Sequence, residues 1–254
     1  MTERAHQLRD RAESFGTAAA DYDRYRPTYP DALVDDLVAR HPASVLDVGC
    51  GTGKAGRLLA ARGLDVLGVE IDARMAEVAR SHGLPVEVGA FEAWDDAGRT
   101  FDLIVSGQAW HWVDPALAVP KAARLLNPGG ALVVFWNYDD VDEPAQRVID
   151  AVYAQHVPEF ADIVAAGASR REDRSYFDDL RTNGSFASID AHTYPWTRST
   201  PLDVWIGRVA TQSNHLLLAP ERLAALRTAL YAGLSPLGPD VHTHGGTYTI
   251  TARP

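Results

Sequence analysis

The chain has 254 residues, of which 46% are hydrophobic, so it can form one large domain with its own core. Its one cysteine, Cys50, excludes an intrachain disulfide framework, and its net charge of −10 would repel a phosphate backbone, so we expect no nucleic-acid partner. Residues 1–11 are charged and lack an apolar stretch, and no segment reaches the about 18 apolar residues of a membrane span. These features predict a cytoplasmic protein without membrane contact.

Short apolar runs alternate with amphipathic segments between residues 45 and 136. The apolar runs predict strands at 45–48, 66–70, 86–88, 101–106 and 131–136. The amphipathic segments predict helices at 54–62, 73–82 and about 114–126. Strands that alternate with helices are typical of βαβ units, in which a mostly parallel sheet is covered on both faces.

The alternation stops after Asp139. Amphipathic patterns predict later helices at 144–156, 201–211 and 220–234, and further strands are expected at 186–196 and 247–251. We expect a single domain over 1–254 with three parts. They are an N-terminal lid (1–40), a cofactor-binding core (41–139), and a cap segment with the closing strands (140–254).

The most informative motif is a glycine-rich loop, Asp47-Val48-Gly49-Cys50-Gly51-Thr52-Gly53, which joins the first predicted strand to the first predicted helix. Glycine permits positive φ and lets a ligand approach the backbone, and the following helix offers free N–H groups. Asp47 places a carboxylate at the carboxyl edge of the sheet, where open α/β sheets bind their ligands.

Three cofactor classes use a loop of this kind. A phosphate-binding P-loop requires glycine where Val48 stands and serine or threonine where Ala55 stands. A dinucleotide fingerprint that begins at Gly49, directly after the strand, requires a third glycine where Lys54 stands. S-adenosylmethionine (SAM) carries cationic amino and sulfonium groups, which suit the carboxylate of Asp47.

A second acidic residue, Glu70, ends the second predicted strand. A carboxylate at this position can accept hydrogen bonds from both hydroxyls of a ribose. Since NAD uses the same device, Glu70 alone does not discriminate between NAD and SAM. The alternative role at this turn is to cap the next helix, for which Asp72 is better placed.

With Phe101-Asp102-Leu103-Ile104-Val105 and Leu125-Leu126-Asn127-Pro128-Gly129-Gly130, these motifs resemble class I SAM-dependent methyltransferases of the methyltransferase type 11 group. The resemblance covers about residues 45–137. Tyr22-Asp23-x-x-Arg26-Pro27 and Trp110-His111-Trp112 are similar to a trans-aconitate methyltransferase-like subgroup. The family resemblance implies a Rossmann-like, doubly wound seven-stranded α/β sheet of order 3-2-1-4-5-7-6, with the last strand antiparallel, an N-terminal lid and a cap insertion.

The resemblance also implies SAM as the cofactor and S-adenosylhomocysteine as its product. Ile71 would pack against adenine, while Tyr22 and Arg26 would close over the methionine end. Many relatives carry aspartate where Ala90 stands, so the Phe91 backbone N–H and Glu92 are candidates for that adenine contact. The full set of expected cofactor-binding residues is Tyr22, Arg26, Asp47, Gly49, Cys50, Gly51, Gly53, Glu70, Ile71, Phe91, Glu92, Ser106 and Gln108.

Candidate catalytic and substrate residues follow the fourth and fifth predicted strands. His111 has an ordinary pKa near neutrality and is the candidate general base or substrate anchor. Trp110 is expected to wall an apolar acceptor pocket, whereas Trp112 is favoured as a core residue. Asn137, Tyr138 and Arg208 are further substrate candidates, and an arginine there would favour an acidic acceptor. His242-x-His244 lacks partner ligands, so we expect no metal.

The predicted function is SAM-dependent methylation of a small molecule, with oxygen of a carboxylate or hydroxyl group favoured as the acceptor. The subgroup resemblance favours the carboxylate. A carboxylate needs no general base, whereas an acceptor that must lose a proton does. Two alternatives are an NAD(P)-dependent oxidoreductase and a SAM-binding module without catalysis. The sequence does not indicate the oligomeric state.

Overall fold

A seven-stranded mixed sheet forms the centre of the computed structural model, which describes residues 14–160, 174–182 and 184–254. The strands are β1 (Val45–Val48), β2 (Val66–Glu70), β3 (Val86–Val88), β4 (Phe101–Gly107), β5 (Leu126–Val141), β6 (Ser188–Pro201) and β7 (Asp240–Arg253). Their order is β3-β2-β1-β4-β5-β7-β6. The first five strands are parallel, and β7 runs antiparallel to both β5 and β6. The predicted fold class and strand order are therefore confirmed. The first 13 residues of the expected lid lie outside the described residues.

Helices cover both faces of the sheet. They are α1 (Ala19–Tyr25), α2 (Asp31–Val38), α3 (Lys54–Ala60), α4 (Ala73–Ser81), α5 (Pro115–Leu125), α6 (Glu143–His156), α7 (Arg174–Thr182), α8 (Leu202–Ala210) and α9 (Pro220–Leu234). Alternation along β4 divides the core, because Leu103 and Val105 pack toward α2, α3 and α4 while Ile104 packs toward α5 and α7. Among the described residues, no helix combines the length and apolar character needed to cross a bilayer.

Three strands are much longer than predicted. β5 extends five residues past the expected end at Trp136, and β7 spans Asp240–Arg253 where only 247–251 was expected. β6 runs from Ser188 to Pro201 instead of from 186 to 196. The added residues at the end of β5 are all half-buried, and those at the end of β6 alternate between exposed and half-buried positions. Both therefore lack the continuous apolar run that marks the buried parallel strands.

The added segments of β5, β6 and β7 form an antiparallel extension beyond the carboxyl edge of the parallel strands. The pairing of β4 with β5 stops at Phe135, whereas β5 and β7 remain paired as far as Val141 and Thr243. A separate apolar cluster beside this extension joins α6, α8 and α9, with Ile149, Ile206 and Leu230 at its centre. The extension therefore supports a group of cap helices next to the sheet edge that carries the glycine-rich loop.

Candidate functional site

A cavity of about 320 Å³ opens at the carboxyl edge of the parallel strands. On its strand side lie Asp47, Gly49 and Glu70, and on its cap side lie Arg26, Asn137 and Arg208. The expected site residues that line the cavity are Tyr22, Arg26, Asp47, Gly49, Cys50, Gly51, Glu70, Ile71, Phe91, Glu92, Gln108, His111, Asn137 and Arg208. Residues separated by nearly 190 positions thus share one enclosure, as expected when strand ends meet at a sheet edge.

The backbone of the glycine-rich loop turns sharply against the next strand. Gly49 has φ +65°, and a Cβ atom there would lie 2.5 Å from the Cβ of Ala109. Only glycine satisfies both the left-handed backbone and the close approach. The neighbouring Cys50 is buried, and its burial raises the pKa of the thiol well above the ordinary value. The Cys50 thiol is therefore protonated near pH 7, and the residue forms part of the cavity wall.

Asp47 places its carboxylate between the loop and the first turn of α3. One oxygen, Oδ2, accepts a hydrogen bond from the Gly56 N–H at 2.8 Å. The other, Oδ1, is buried and has no partner among the described residues. Burial raises the pKa of Asp47 to about 7, against the effect of the Gly56 hydrogen bond and helped by the nearby charge of Glu70. A cationic ligand group would satisfy Oδ1 and stabilise the ionised form.

This position of Asp47 bears on the competing cofactor classes. A pyrophosphate binds to free N–H groups at a helix N-terminus, but here the Gly56 N–H of α3 already donates to the Asp47 carboxylate. Lys54, the residue that suggested a P-loop, donates to the Asp23 carbonyl oxygen at 2.7 Å. The start of α3 is thus occupied by a carboxylate, and it suits a cation better than a phosphate.

Glu70 joins the loop that follows β1 to the loop that follows β2. Its Oε2 accepts from the Gly51 N–H at 2.8 Å and its Oε1 accepts from the Asp72 N–H at 2.9 Å. Burial raises the pKa of Glu70, although these backbone hydrogen bonds oppose that effect. Each carboxylate oxygen retains a second lone pair, so the side chain can still accept from ligand hydroxyl groups.

The residues expected near adenine lie together beyond Glu70. Ile71 and Phe91 both line the cavity, although the Phe91 ring is itself buried against Trp110 at 6.2 Å between centroids. Glu92 uses Oε1 to accept from the Asp114 N–H at 2.8 Å, so part of its carboxylate anchors the loop before α5. The Phe91 backbone and the remaining Glu92 oxygen stay the candidates for a contact with a base.

Gln108 occupies a strained position where β4 leaves the sheet. Its φ is +60°, a conformation that costs a non-glycine residue about 1 kcal/mol. Its backbone N–H donates to the Phe135 carbonyl at 2.8 Å, and its Nε2 donates to the Asn137 carbonyl at 3.2 Å. These bonds hold the Gln108 side chain across the cavity wall between β4 and β5.

His111 lies on the cavity wall in a short 3₁₀ turn, Trp110–Trp112. Its Nδ1 accepts a hydrogen bond from the indole N–H of Trp136 at 3.1 Å. Burial lowers the pKa of His111 to about 4, so the ring is neutral near pH 7 and carries its proton on Nε2. His111 therefore acts as a hydrogen-bond donor in this state, whereas a general base requires an unprotonated nitrogen facing the acceptor.

The N-terminal helix α1 covers the cavity and contacts both of its sides. Arg26, just after α1, donates to the Thr211 hydroxyl at 2.9 Å and to the Thr211 carbonyl at 2.7 Å. The Tyr25 ring lies where a Cβ on Gly207 of α8 would be, at 2.5 Å. Asp23 pairs with Arg57 of α3 at 3.1 Å. These contacts hold α1 between the loop that follows β1 and the cap helices.

Arg208 forms an internal ion pair on the cap side. Its Nη1 and Nη2 donate to the two oxygens of Asp139 at 2.6 and 2.5 Å. We expected the carboxylate of an acidic acceptor to form a bidentate pair with Arg208, but Asp139 of the protein itself forms that pair. Nε of Arg208 is buried and unpartnered among the described residues, and each Nη keeps a second N–H, so these donors remain for another group.

Four expected site residues, Gly53, Ser106, Trp110 and Tyr138, are not among the residues that line the cavity. Ser106 is fully buried and donates to the Val48 carbonyl at 2.9 Å, which ties β4 to β1 behind the wall. Gly53 is the N-cap of α3 at φ +83°. Trp110 is buried in the core, and Tyr138 faces a separate surface groove beside Trp196.

Trp112, which was favoured as a core residue, lines the cavity instead. The 3₁₀ turn points Trp110 inward and brings Trp112 against the ring of Phe15 at 6.1 Å. Phe15 and Tyr29 also line the cavity and were not among the expected site residues. Their proximity depends on how α1 folds back over the sheet, for which the local sequence gives no signal.

The cavity residues fit the cofactor that the sequence resemblance implies. Carboxylates lie on the strand side and guanidinium groups on the cap side, which matches a ligand with a cationic centre, a ribose and a terminal carboxylate. The unpartnered Oδ1 of Asp47 supplies an acceptor where a cation is needed. No group of three or more metal-ligating side chains occurs among the described residues.

Comparisons with known proteins agree with this geometry. Residues 46–134 match the family model described as a methyltransferase domain. An uncharacterized methyltransferase of Mycobacterium tuberculosis is 35% identical over 208 residues, which cover 81% of this chain and 79% of the relative. The malonyl-[acyl-carrier protein] O-methyltransferase of Brevibacillus brevis is 27% identical over 223 residues, or 76% of each chain.

A solved structure shares the fold over nearly the whole chain. The protein, from Anaeromyxobacter dehalogenans, was solved as a candidate type II methyltransferase. It superimposes with a TM-score of 0.62 at 23% identity, and the match covers 90% of this chain and 98% of that one. At this level of identity the similarity establishes the architecture.

Proposed function

The chain belongs to the class I SAM-dependent methyltransferases, and from that premise we propose that it methylates a carboxylate oxygen of a small-molecule acceptor. The observation that carries the choice of a carboxylate is the hydrogen bond from Trp136 to Nδ1 of His111. It leaves His111, on the cavity wall, as a hydrogen-bond donor through Nε2. An acceptor that is already anionic can be held by such a donor and needs no base.

SAM supplies a methyl group on a positively charged sulfur. Under this proposal Asp47 pairs with the amino group, Glu70 accepts from the ribose hydroxyls, and Ile71 packs against adenine. Arg26 lies on the opposite side of the cavity and binds the methionine carboxylate. The support for this arrangement is the segregation of carboxylates and guanidinium groups on the two sides of the cavity.

The acceptor carboxylate provides the electron pair for the new bond. One of its oxygens bonds to the methyl carbon as the S–CH₃ bond breaks, and the electron pair of that bond remains on sulfur. The negative charge of the acceptor and the positive charge of the sulfonium disappear together, so no proton is transferred. The protein contributes alignment and exclusion of water, and His111 Nε2–H holds the second acceptor oxygen.

A hydroxyl acceptor is the second candidate, because its oxygen can also be methylated once its proton is removed. A neutral hydroxyl must lose a proton. Under this proposal the strand-side carboxylates are used by backbone N–H groups at Gly56, Gly51 and Asp72 and by the cofactor, so neither of them is the base. The arrangement of His111 therefore favours the carboxylate over the hydroxyl.

The test is transfer of isotope-labelled methyl groups from SAM to panels of small carboxylic acids, phenols and amines. We expect labelled methyl esters, which release labelled methanol on mild alkaline hydrolysis. A base-stable labelled product would be an ether or an N-methyl compound and would contradict the proposal. Tight binding of S-adenosylhomocysteine without transfer to any panel member would instead favour a SAM-binding module without catalysis.

A further inference from the structure

Three arginines from separate elements surround one carboxylate on the cap side of the cavity. Arg26 follows α1, Arg198 lies on β6, Arg208 lies on α8, and Asp139 lies near the end of β5. Only Arg208 forms an ion pair with Asp139. Burial alone would raise the pKa of Asp139, but the Arg208 pair and the charges of Arg198 and Arg26 lower it. The four side chains thus form one electrostatic unit, which we call the arginine cluster.

The arginine cluster has an excess of positive charge. Three guanidinium groups and one carboxylate leave two positive charges. Within the described part of the chain, neither Arg26 nor Arg198 has a carboxylate oxygen within the 4.0 Å of an ion pair. Desolvation, together with repulsion from Arg208, lowers the pKa of both side chains. Half-buried cations that outnumber their counter-charges are costly, so such a cluster is expected where a ligand brings negative charge.

Two N–H donors of the cluster also lack acceptors. Nε of Arg208 and Nη1 of Arg198 are buried and form no hydrogen bond to any described residue. Two contacts hold the Arg198 guanidinium in place. Its Nη2 donates to the Thr28 carbonyl at 2.8 Å, and the group stacks on the Trp196 ring at 3.9 Å. Asn137, on the cavity wall, donates to the same Thr28 carbonyl at 3.3 Å. Arg198 therefore stands directly behind the cap side of the cavity.

Two negative charges would balance the cluster, and the proposed cofactor supplies one of them, the methionine carboxylate at Arg26. We propose that the acceptor supplies the other through a second anionic group, separate from the methylated carboxylate, that binds Arg208 with Arg198 behind it. This inference rests on the proposed function for the methylated group. A carboxylate or a phosphate monoester has the required chemistry, because both accept charge-assisted hydrogen bonds from guanidinium groups.

Asp139 sets how much positive charge the cluster offers to a ligand. It occupies both Nη groups of Arg208 and cancels one charge. Neutralising Asp139 raises the charge of the cluster by one, whereas neutralising Arg198 lowers it by one. The two changes therefore act in opposite directions on the affinity for an anionic group, which a general loss of structure would not do.

The experiment measures kcat/KM of the full chain for linear dicarboxylic acids and for the half-amide of each. A half-amide keeps the length and one carboxylate but lacks the second charge. We expect the wild type to prefer the diacid by about tenfold to a hundredfold, the range of one charge-assisted hydrogen bond. Arg198→Gln should remove most of this preference, and Asp139→Asn should increase it severalfold. A phosphorylated hydroxy acid, compared with the diacid of equal length, distinguishes phosphate from carboxylate.

The control variant is Arg147→Gln on α6, where an exposed arginine pairs with Glu143 at 3.1 Å and, among the described residues, forms no hydrogen bond or ion pair with the cluster. It should retain the wild-type preference, and thermal unfolding checks that every variant is folded. The inference is wrong if half-amides are methylated as efficiently as diacids, or if both cluster variants keep the wild-type preference.

Calorimetry on the complex with S-adenosylhomocysteine separates this inference from the proposed function. If no acid is methylated but this complex binds a diacid more tightly than its half-amide, and Arg198→Gln abolishes the difference, the charge inference stands and carboxylate methylation is wrong. If single-charge acids are methylated as efficiently as diacids, carboxylate methylation stands and the charge inference is wrong.

Discussion

The indole N–H of Trp136 donates to Nδ1 of His111 across 3.1 Å, and this contact determines which nitrogen of the ring bears the proton. Trp136 belongs to β5 and His111 to the turn after β4, so the bond spans two neighbouring strand ends. It makes Trp136 a positioning residue for the proposed donor at Nε2.

The Trp136→Phe variant tests this relationship. It removes the indole donor while an aromatic ring remains, so His111 can adopt either tautomer. We expect kcat for the acceptor to fall by about fivefold to tenfold, the effect of one neutral hydrogen bond, with unchanged calorimetric affinity for S-adenosylhomocysteine. Trp94→Phe is the matched control, because that indole donates to Glu87 at 2.6 Å outside the cavity. Equal losses in both variants would mean that the effect is structural.

Asp47 gives the protein a pH dependence that can be measured without any acceptor. Its pKa is raised from 3.8 to about 7, and a bound cation requires the ionised form. The affinity for S-adenosylhomocysteine should therefore weaken as the pH falls below about 7, by up to about tenfold per pH unit. Calorimetry from pH 5 to pH 8 checks this, and a pH-independent affinity would contradict the assignment of Asp47 to the amino group.

The same pKa predicts the stability of the ligand-free protein. A carboxyl group whose pKa is raised on folding favours the folded state fully only below its unfolded pKa of 3.8, and this contribution is lost progressively as the pH rises from 3.8 to about 7. The rise from 3.8 to about 7 corresponds to at most about 4 kcal/mol against the ionised form. Asp47→Asn should therefore raise the Tm at pH 8 by about 3 °C or more, raise it by less than half as much at pH 5, and abolish the ligand-induced rise in Tm. A lower Tm at both pH values would disprove this account.

Gly49 and Gly63 form a matched pair for testing the loop. Both have positive φ, +65° and +87°, but only at Gly49 would a Cβ meet another atom, the Cβ of Ala109 at 2.5 Å. Gly63→Ala should cost about 1 kcal/mol of unfolding free energy and leave ligand binding intact. Gly49→Ala should cost about 2 kcal/mol or more and abolish binding of S-adenosylhomocysteine. Denaturant unfolding and calorimetry give both values, and tight binding by Gly49→Ala would show that the loop does not contact the cofactor.

Asp23 joins α1 to the helices beneath it. Its carboxylate pairs with Arg57 at 3.1 Å and with His82 at 3.1 Å, and 18% of its side chain is exposed. Asp23→Asn should loosen α1 over the cavity and raise the KM for SAM about fivefold, with faster proteolysis near residue 25. Asp31→Asn is the control, because the Asp31–Arg62 pair is exposed and contributes little. An unchanged KM in Asp23→Asn would indicate that other contacts suffice to hold α1.

The local sequence predicts the parallel half of the fold well, for a physical reason. Strands β1, β2 and β3 have the predicted bounds, because buried parallel strands are continuous apolar runs that end at glycine or at charged residues. The position of Asp47 before the glycine-rich loop follows from the same local pattern. The strand order came from the family resemblance, since no local feature specifies which strands become neighbours.

The cap side depends on information that local patterns do not contain. Arg208 and Asp139 are 69 positions apart, and they meet only because α8 packs beside the end of β5. Neither Asp139 nor Arg198 was selected as a site residue, because an isolated charged residue in a half-exposed strand resembles any solvated side chain. Trp136 was likewise assigned to a strand, and its contact with His111 depends on the pairing of β4 with β5.

The antiparallel extension has an evolutionary consequence. Strand β5 contributes residues up to Phe135 to the shared parallel sheet, while its remaining residues and those of β6 carry groups that would select the acceptor. Substitutions on the extension can therefore accumulate without disturbing Asp47, Glu70 or the loop between them. Proteins that share the same cofactor-binding loop can therefore diverge in acceptor specificity through single substitutions of polar residues on the extension.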